Sequence, residues 1–167
     1  MEILFENKYS RDKEWAKDIF GYLNIRRPFT IVLDVLFSLY LVAGIYRLVA
    51  DKVVEFGFFI APLLWVALML YIYNKNVRVT LKRDLEIHGK PIEIAVTVTD
   101  EIIRQTQSTG SEFQLNYIDI KRVVVTKKYI YLWSKANLLY SLKKDAFLVG
   151  SSEEFLAFLK SKGVRVR

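Results

Sequence analysis

Few residues in this chain are of the types that carry covalent or acid–base chemistry. Its 167 residues include no cysteine and one histidine, His88. Without cysteine there is no disulfide, no thiolate nucleophile and no thiolate-held metal. One imidazole cannot build a histidine-only zinc site within one chain, and His88 has no obvious orienting partner. Carboxylates occur as the neighbouring pairs Asp100–Glu101 and Glu153–Glu154, with Asp119 alone. The first pair falls at a turn, and neighbours on a strand point to opposite faces. The second pair falls in the first turn of a helix, where acids favour the helix dipole. The seven glycines show no phosphate-loop or dinucleotide spacing. This residue set points to no catalytic residue, no metal site and no cofactor, and so to a protein that is not an enzyme.

What chemistry remains is positive charge. Lys+Arg number 25 against 18 Asp+Glu, a formal net charge of +7. The bases cluster as Lys121–Arg122, Lys127–Lys128 and Lys143–Lys144. Near an anionic membrane surface each such base gains about 1 kcal/mol. These six residues are therefore the candidates for contact with membrane lipid or a protein partner. The alternative is a solvated surface that helps set membrane topology. Nucleic acid is not an expected partner, because tyrosines directed into their own core make a poor stacking platform for bases.

The elements that position these residues begin with two apolar runs. Phe29–Val49 holds one acid, Asp34, and one base, Arg47; Phe56–Tyr73 holds no charge. A bilayer core needs roughly 20 apolar residues in a helix. The first run meets that length, and the second does so with Val53 and Val54 or with Asn74. A chain this short has too little interior to cover two such helices on all sides. Arg26 and Arg27 precede the first run; Lys75, Arg78, Lys82 and Arg83 follow the second. The connecting turn carries Arg47, Asp51, Lys52 and Glu55, two of each sign. By the positive-inside rule both termini are cytoplasmic. Asp34 lies five residues inside the first run. It reads either as shallow enough for headgroups and water, or as an intramembrane polar contact to another helix or subunit. Pro62 in the second run is expected to kink the helix or ease its packing.

Around this hairpin the patterns are those of a small folded domain. Residues 1–28 read as an N-terminal cytoplasmic arm. Within it ILFENKYS suits a short strand, and Trp15, Ile19, Tyr22 and Leu23 sit at helical spacing. That helix either lies near the membrane surface or packs on the cytoplasmic domain. Residues 75–91 read as a connector, more helix than strand, ending before Gly89 and Pro91. From Ile92 the chain alternates as strands: IEIAVTV, EIIRQTQS, a turn around Gly110, FQLNY, IKRVVVT, KKYIYLWS and LLYSL. In KKYIYLWS, Tyr129, Tyr131 and Trp133 share one face, and Ile130 and Leu132 the other. Ser151 and Glu154 form a capping box for a final helix whose Phe155, Phe158 and Leu159 face the sheet, ended by Gly163.

Three local pieces carry a resemblance. They are the turn at Thr99 and Asp100, the Tyr117-x-Asp119-Ile120 element leading into the YIYLW strand, and SLKKDAF before the capped EEF helix. With the basic-flanked double span, they resemble the YcxB-like family of bacterial membrane proteins, most strongly from Thr97 to Gly163. The resemblance implies a C-terminal pleckstrin-homology-like domain and brings no catalytic residues with it. The expected fold is a membrane helical hairpin (residues 29–74) plus a small α+β domain (residues 92–167). That domain would be a pleckstrin-homology-like curved sheet or partial barrel capped by a C-terminal helix. The expected role is a non-enzymatic interaction, signalling or scaffold protein anchored in the cell membrane, multi-pass. It would contact membrane lipid and either a protein partner or a second copy of itself. Alternatives are an anionic-lipid-binding module and an accessory subunit of an oligomeric membrane complex.

Overall fold

The structure, a computed structural model, describes residues 2–25, 28–52 and 54–166. Arg26, Arg27 and Val53, which entered the topology argument, lie outside the described residues. Contacts divide the chain into two compact units. One joins the first 18 residues to those from Leu81 onward, and the other is residues 19–80.

The first unit is a sheet domain. Its strands are β1 (Phe5–Ser10), β2 (Glu93–Val98), β3 (Ile102–Gln107), β4 (Glu112–Asn116), β5 (Ile120–Val125), β6 (Tyr129–Ser134), β7 (Leu139–Lys143) and β8 (Phe147–Val149). They form a five-stranded sheet in the order β4-β3-β2-β1-β8 and a three-stranded sheet in the order β5-β6-β7. Every pair of these strands is antiparallel. The alternation read from Ile92 onward is what builds them, because period-two side chains give each strand one apolar face. Gly110, at φ +86°, closes the β3–β4 hairpin at the position where a left-handed backbone is needed.

The N-terminal arm, whose ILFENKYS segment suits a short strand, contributes β1 to the five-stranded sheet. β1 pairs with β2 from Phe5 opposite Val98 to Ser10 opposite Glu93, and its other edge pairs with β8. Phe5, Asn7 and Tyr9 are buried, while Glu6 is half-buried and Lys8 exposed. Asn7 interrupts the apolar alternation on the buried face of this strand. Its amide is satisfied across the domain: Nδ2 donates to the Lys143 carbonyl (2.7 Å) and Oδ1 accepts from the Lys143 N–H (3.0 Å). β8 is absent from the sequence reading because three residues are too few to show a period.

Ser141 on β7 ties the two sheets together. Its hydroxyl bonds that of Tyr9 and accepts from Trp15 Nε1 (3.3 Å), and its N–H donates to Gln105 Oε1 (3.2 Å). β6 is buried on both sides, with no exposure at Tyr129, Ile130, Tyr131 or Leu132. Helix α1 (Lys13–Ile25) contributes to that cover. Asp12 caps it, accepting from the N–H groups of Glu14 (2.9 Å) and Trp15 (3.0 Å). Asp18 on α1 accepts from the Tyr131 hydroxyl (3.0 Å), so the first turns of α1 pack on the sheet domain.

The closing helix is α4 (Ser152–Ser161). Ser151 Oγ accepts from the Glu154 N–H (3.3 Å) and donates to Glu154 Oε2 (2.9 Å). At the other end Gly163, at φ +77°, donates to Lys160 O and Val164 N–H donates to Leu159 O. That pair of bonds is a Schellman stop. Phe155 and Leu159 are fully buried, whereas Phe158 is half-buried. The buried centre of the helix face is therefore Phe155, whose ring meets Phe5 edge-on at 5.5 Å. Gly150, at φ +74°, lies so close to the Phe5 ring that any Cβ there would collide with it.

The second unit holds α2 (Pro28–Ala50) and most of α3 (Gly57–His88), which turn back on each other as a hairpin. α3 runs through the expected connector without a break, since nothing between Asn74 and His88 interrupts it. It stops at Gly89, at φ +68°. Its last turns belong to the sheet domain, where buried Asp84 lies 3.2 Å from Arg11 Nε. Both helices are long and apolar enough to cross a membrane. Only 6% of the most apolar stretch of α2 and none of that of α3 is buried within the chain. A helix serving as a soluble core would be covered by protein. These are not.

The central place of β1 makes a prediction about fragments. Residues 92–167 alone lack the strand that separates β2 from β8, leaving two unpaired inner edges. A chain joining residues 2–18 to 81–167 through a Gly/Ser linker is expected to unfold cooperatively in urea, followed by circular dichroism. Residues 92–167 alone are expected to show no cooperative transition, and a normal transition there would contradict the role given to β1.

Candidate functional site

The six candidate bases separate into two groups. Lys121 and Arg122 open β5, and Lys127 and Lys128 occupy the turn after it. Five residues of extended chain between Arg122 and Lys127 span on the order of 16 Å. Lys143 closes β7 opposite Tyr129, and the Lys144 N–H donates to the Lys128 carbonyl (2.9 Å). The second and third doublets therefore meet at one end of the three-stranded sheet, with the first at the other end.

The four-lysine end is partly neutralised. Glu14 of α1 binds Lys128 through Oε1 and Lys143 through Oε2 (2.9 Å). Hydrogen bonding to Lys128 first and Lys143 second holds the Glu14 carboxyl down to about 2, and Glu14 in turn raises Lys143. Lys127 and Lys144 form no ion pair among the described residues. The sequence reading treated all four as equivalent. The contact to Glu14 spans more than a hundred residues and has no local signal. The neighbouring phenols are held in their protonated form. Burial raises Tyr9, Tyr129 and Tyr131 well above the usual phenol range, with Asp18 adding to the rise at Tyr131.

The Lys121–Arg122 end is joined by two bases that sequence reasoning did not place there. A cleft of 590 Å³ is lined by Lys121 and Arg122 from β5 and by Lys162 and Arg165 from the chain leaving α4. The Arg122 guanidinium lies over the Trp133 ring at 4.3 Å, a cation–π contact. Lys162 pairs with Asp100 at 2.7 Å. In the sequence Lys162 reads only as a cation suited to a helix C-terminus.

Three of the acids singled out in the sequence have structural partners. Asp100 holds Lys162, and Asp119 accepts from Asn116 Nδ2 (3.2 Å). Glu154 completes the α4 cap. Thr99 Oγ1 accepts from the Ile102 N–H (3.2 Å) at the β2–β3 turn. His88 is exposed at the end of α3.

Asp34 has a partner within its own hairpin: Trp65 Nε1 on α3 donates to Asp34 Oδ1 at 2.8 Å. The residues of α2 that meet α3 are Asp34, Phe37, Tyr40 and Gly44, spaced three and four apart on one helix face. Phe37 stacks on Trp65 (5.4 Å) and Tyr40 packs on Phe58 (4.4 Å). Gly44 leaves room for Phe58, since a Cβ there would collide with it. At the turn Arg47 pairs with both Asp51 and Glu55. Asp34 and Trp65 also line an apolar groove of 340 Å³ with Thr30, Met69 and Tyr73. The rings and the glycine were visible in the sequence, but their facing register was not.

Two predictions test these contacts. In a double-mutant cycle, Asp34→Leu and Trp65→Phe should couple by about 0.6–1.7 kcal/mol, the range for hydrogen bonds between membrane helices. Unfolding the full chain in mixed micelles by sodium dodecyl sulfate reads this, and additive effects would mean the bond is not made. The second concerns acid. The Glu14 carboxyl is depressed in the folded chain, from an ordinary 4.5 to about 2. Its contribution is therefore present above pH 4.5 and lost as pH falls through about 2. Glu14→Gln should lose less stability than the parent between pH 4.5 and 2 in urea titrations, and parallel pH profiles would refute the pairing.

The chain matches no protein-family model, no curated protein and no solved structure.

Proposed function

We propose that this chain is a non-enzymatic interaction module anchored in the cell membrane by its helical hairpin, with both termini in the cytoplasm. The observation that carries this reading is the hairpin itself. Two apolar helices join through a short turn and have almost no protein cover along their most apolar stretches. In water such surface is unfavourable by about 25 cal/mol per Å². In a bilayer the same surface is matched to its solvent, and each helix bonds its own backbone groups internally. Orientation follows from charge. Lys75, Arg78, Lys82 and Arg83 follow the second span in sequence. At the connecting turn Arg47 is held between Asp51 and Glu55. The excess of bases lies at the termini side, which the positive-inside rule assigns to the cytoplasm.

The fold we propose for the sheet domain is pleckstrin-homology-like, in keeping with the resemblance to YcxB-like proteins. Supporting this are four neighbouring antiparallel strands, a separate three-stranded sheet and a closing helix. β8 and the hairpin between β1 and β2 are then additions to that plan. Asp100, Asp119 and Glu154 have capping or pairing duties and Tyr9, Tyr129 and Tyr131 are buried, so interaction fits these residues better than catalysis. Membrane lipid is the nearest partner for the basic residues. A protein partner or a second copy of the chain is the other class.

Because the chain has no cysteine, topology can be read without background. Single cysteines replacing Lys8, Asp51 or Ser161 would be treated with an impermeant thiol reagent on intact cells. All three positions are exposed. Only the Asp51 position is expected to react, and labelling at Lys8 or Ser161 would overturn the proposed orientation.

A further inference from the structure

We infer that the cleft between the start of β5 and the chain leaving α4 binds a phosphate-bearing ligand. The cleft is built by the C-terminal turn. Gly163 reverses the chain in its left-handed conformation, and Val166 then forms a parallel bridge to Val123 on β5. That return sets Arg165 beside Lys121 and Arg122, with Lys162 across the opening. A second cleft of 370 Å³ adjoins the first. It shares Lys121, Arg122 and Arg165 and adds Trp133 and Asn137.

Lys121, Arg122, Lys162 and Arg165 all line this cleft. Asp100 is paired with Lys162, while among the described residues no carboxylate pairs with Lys121 or Arg165. Convergent like charges repel, and an anion in their midst turns that repulsion into attraction. Two guanidinium groups favour an oxyanion that accepts several bonds at once, as a phosphate does. Stacking on Trp133 fixes the plane of Arg122 beforehand. The negative end of the α4 dipole opposes an anion here. The Schellman bonds from Gly163 and Val164 satisfy two of its carbonyls and reduce that effect. The cleft also has an apolar lip: Ile118, in the 3-10 turn Tyr117–Asp119, is 78% exposed at its edge. A cationic cleft beside an exposed isoleucine suits a lipid headgroup whose acyl chains lie alongside, and the same bases would also bind a soluble phosphate ester.

The cleft lies wholly within the sheet domain, so this inference and the membrane topology can fail separately. The test uses the full chain in neutral maltoside micelles and isothermal titration calorimetry. The probes are dihexanoyl-phosphatidylglycerol and glycerol 3-phosphate. Lys121→Ala with Arg165→Ala should weaken binding tenfold or more. Lys127→Ala with Lys144→Ala removes the same charge from the other end of the sheet and should change it less than twofold. Equal weakening by the two pairs would mean unspecific attraction and would overturn the site, as would the absence of saturable binding of either probe. If circular dichroism shows that the first pair disturbs the fold, Lys121→Gln and Arg165→Gln singly must each weaken binding at least threefold, or the assignment falls. Preference for the lipid by tenfold, lost in Ile118→Ser, identifies a headgroup as the source. Comparable binding of glycerol 3-phosphate identifies a soluble ester, and either result upholds the phosphate site.

Discussion

The sheet domain depends on one long-range pairing, that of β1 with β2. Strand backbone groups must all find partners when buried, and β1 supplies them to β2 on one edge and β8 on the other. The chain leaves the sheet at Ser10 and comes back at Glu93, and the Arg11 N–H still donates to the Ile92 carbonyl (2.8 Å). The whole hairpin is thus an insertion that enters and exits at a single point of the ladder. Loop closure grows only logarithmically with length, so an ordered insertion of this size adds little to the entropy of pairing. Its own helices are stabilised elsewhere, by each other and by their surroundings.

From that pairing follow the contacts that fix the second sheet. Placing β1 in the sheet brings Tyr9 to Ser141 and Asn7 to Lys143, so two side chains of one strand stitch both sheets together. It also starts α1 immediately after β1, where Asp12 caps it and Trp15 reaches the same serine. α1 then carries Asp18 to Tyr131 and Glu14 to Lys128 and Lys143. Half of the basic residues at that end of the sheet thereby become structural. What a charge does on this surface is decided by which helix reaches it, not by how many bases stand nearby.

The hairpin shows the same economy of polar groups. Asp34, the acid of its first apolar run, is matched to the one indole N–H that α3 presents to it. At its turn Arg47 is paired with Asp51 and Glu55. An unmatched carboxylate within an apolar span is costly, and a hydrogen bond from the neighbouring helix reduces that cost without recourse to another chain. Lys121, Arg122, Lys162 and Arg165 line one cleft, on the part of the domain farthest along β5 from Glu14, and Asp100 pairs with Lys162 there.

Much of the architecture was legible in the residues themselves. The two apolar helices follow from length and composition alone, because the requirement for crossing a bilayer is local to each helix. The Ser151 cap, the Gly163 stop and the alternating strands from Ile92 onward are likewise decided within a few residues of one another. The rest was decided by tertiary structure. Nothing local marks β1 as an inner strand, places Glu14 between two lysines, turns Asp34 towards Trp65, or brings Arg165 back beside Arg122. Each of these joins residues distant in sequence, and a periodic pattern states which face of an element is apolar without stating what will cover it. Local rules therefore determined the elements, and only long-range pairing determined which charges hold those elements together and which of them share a cleft.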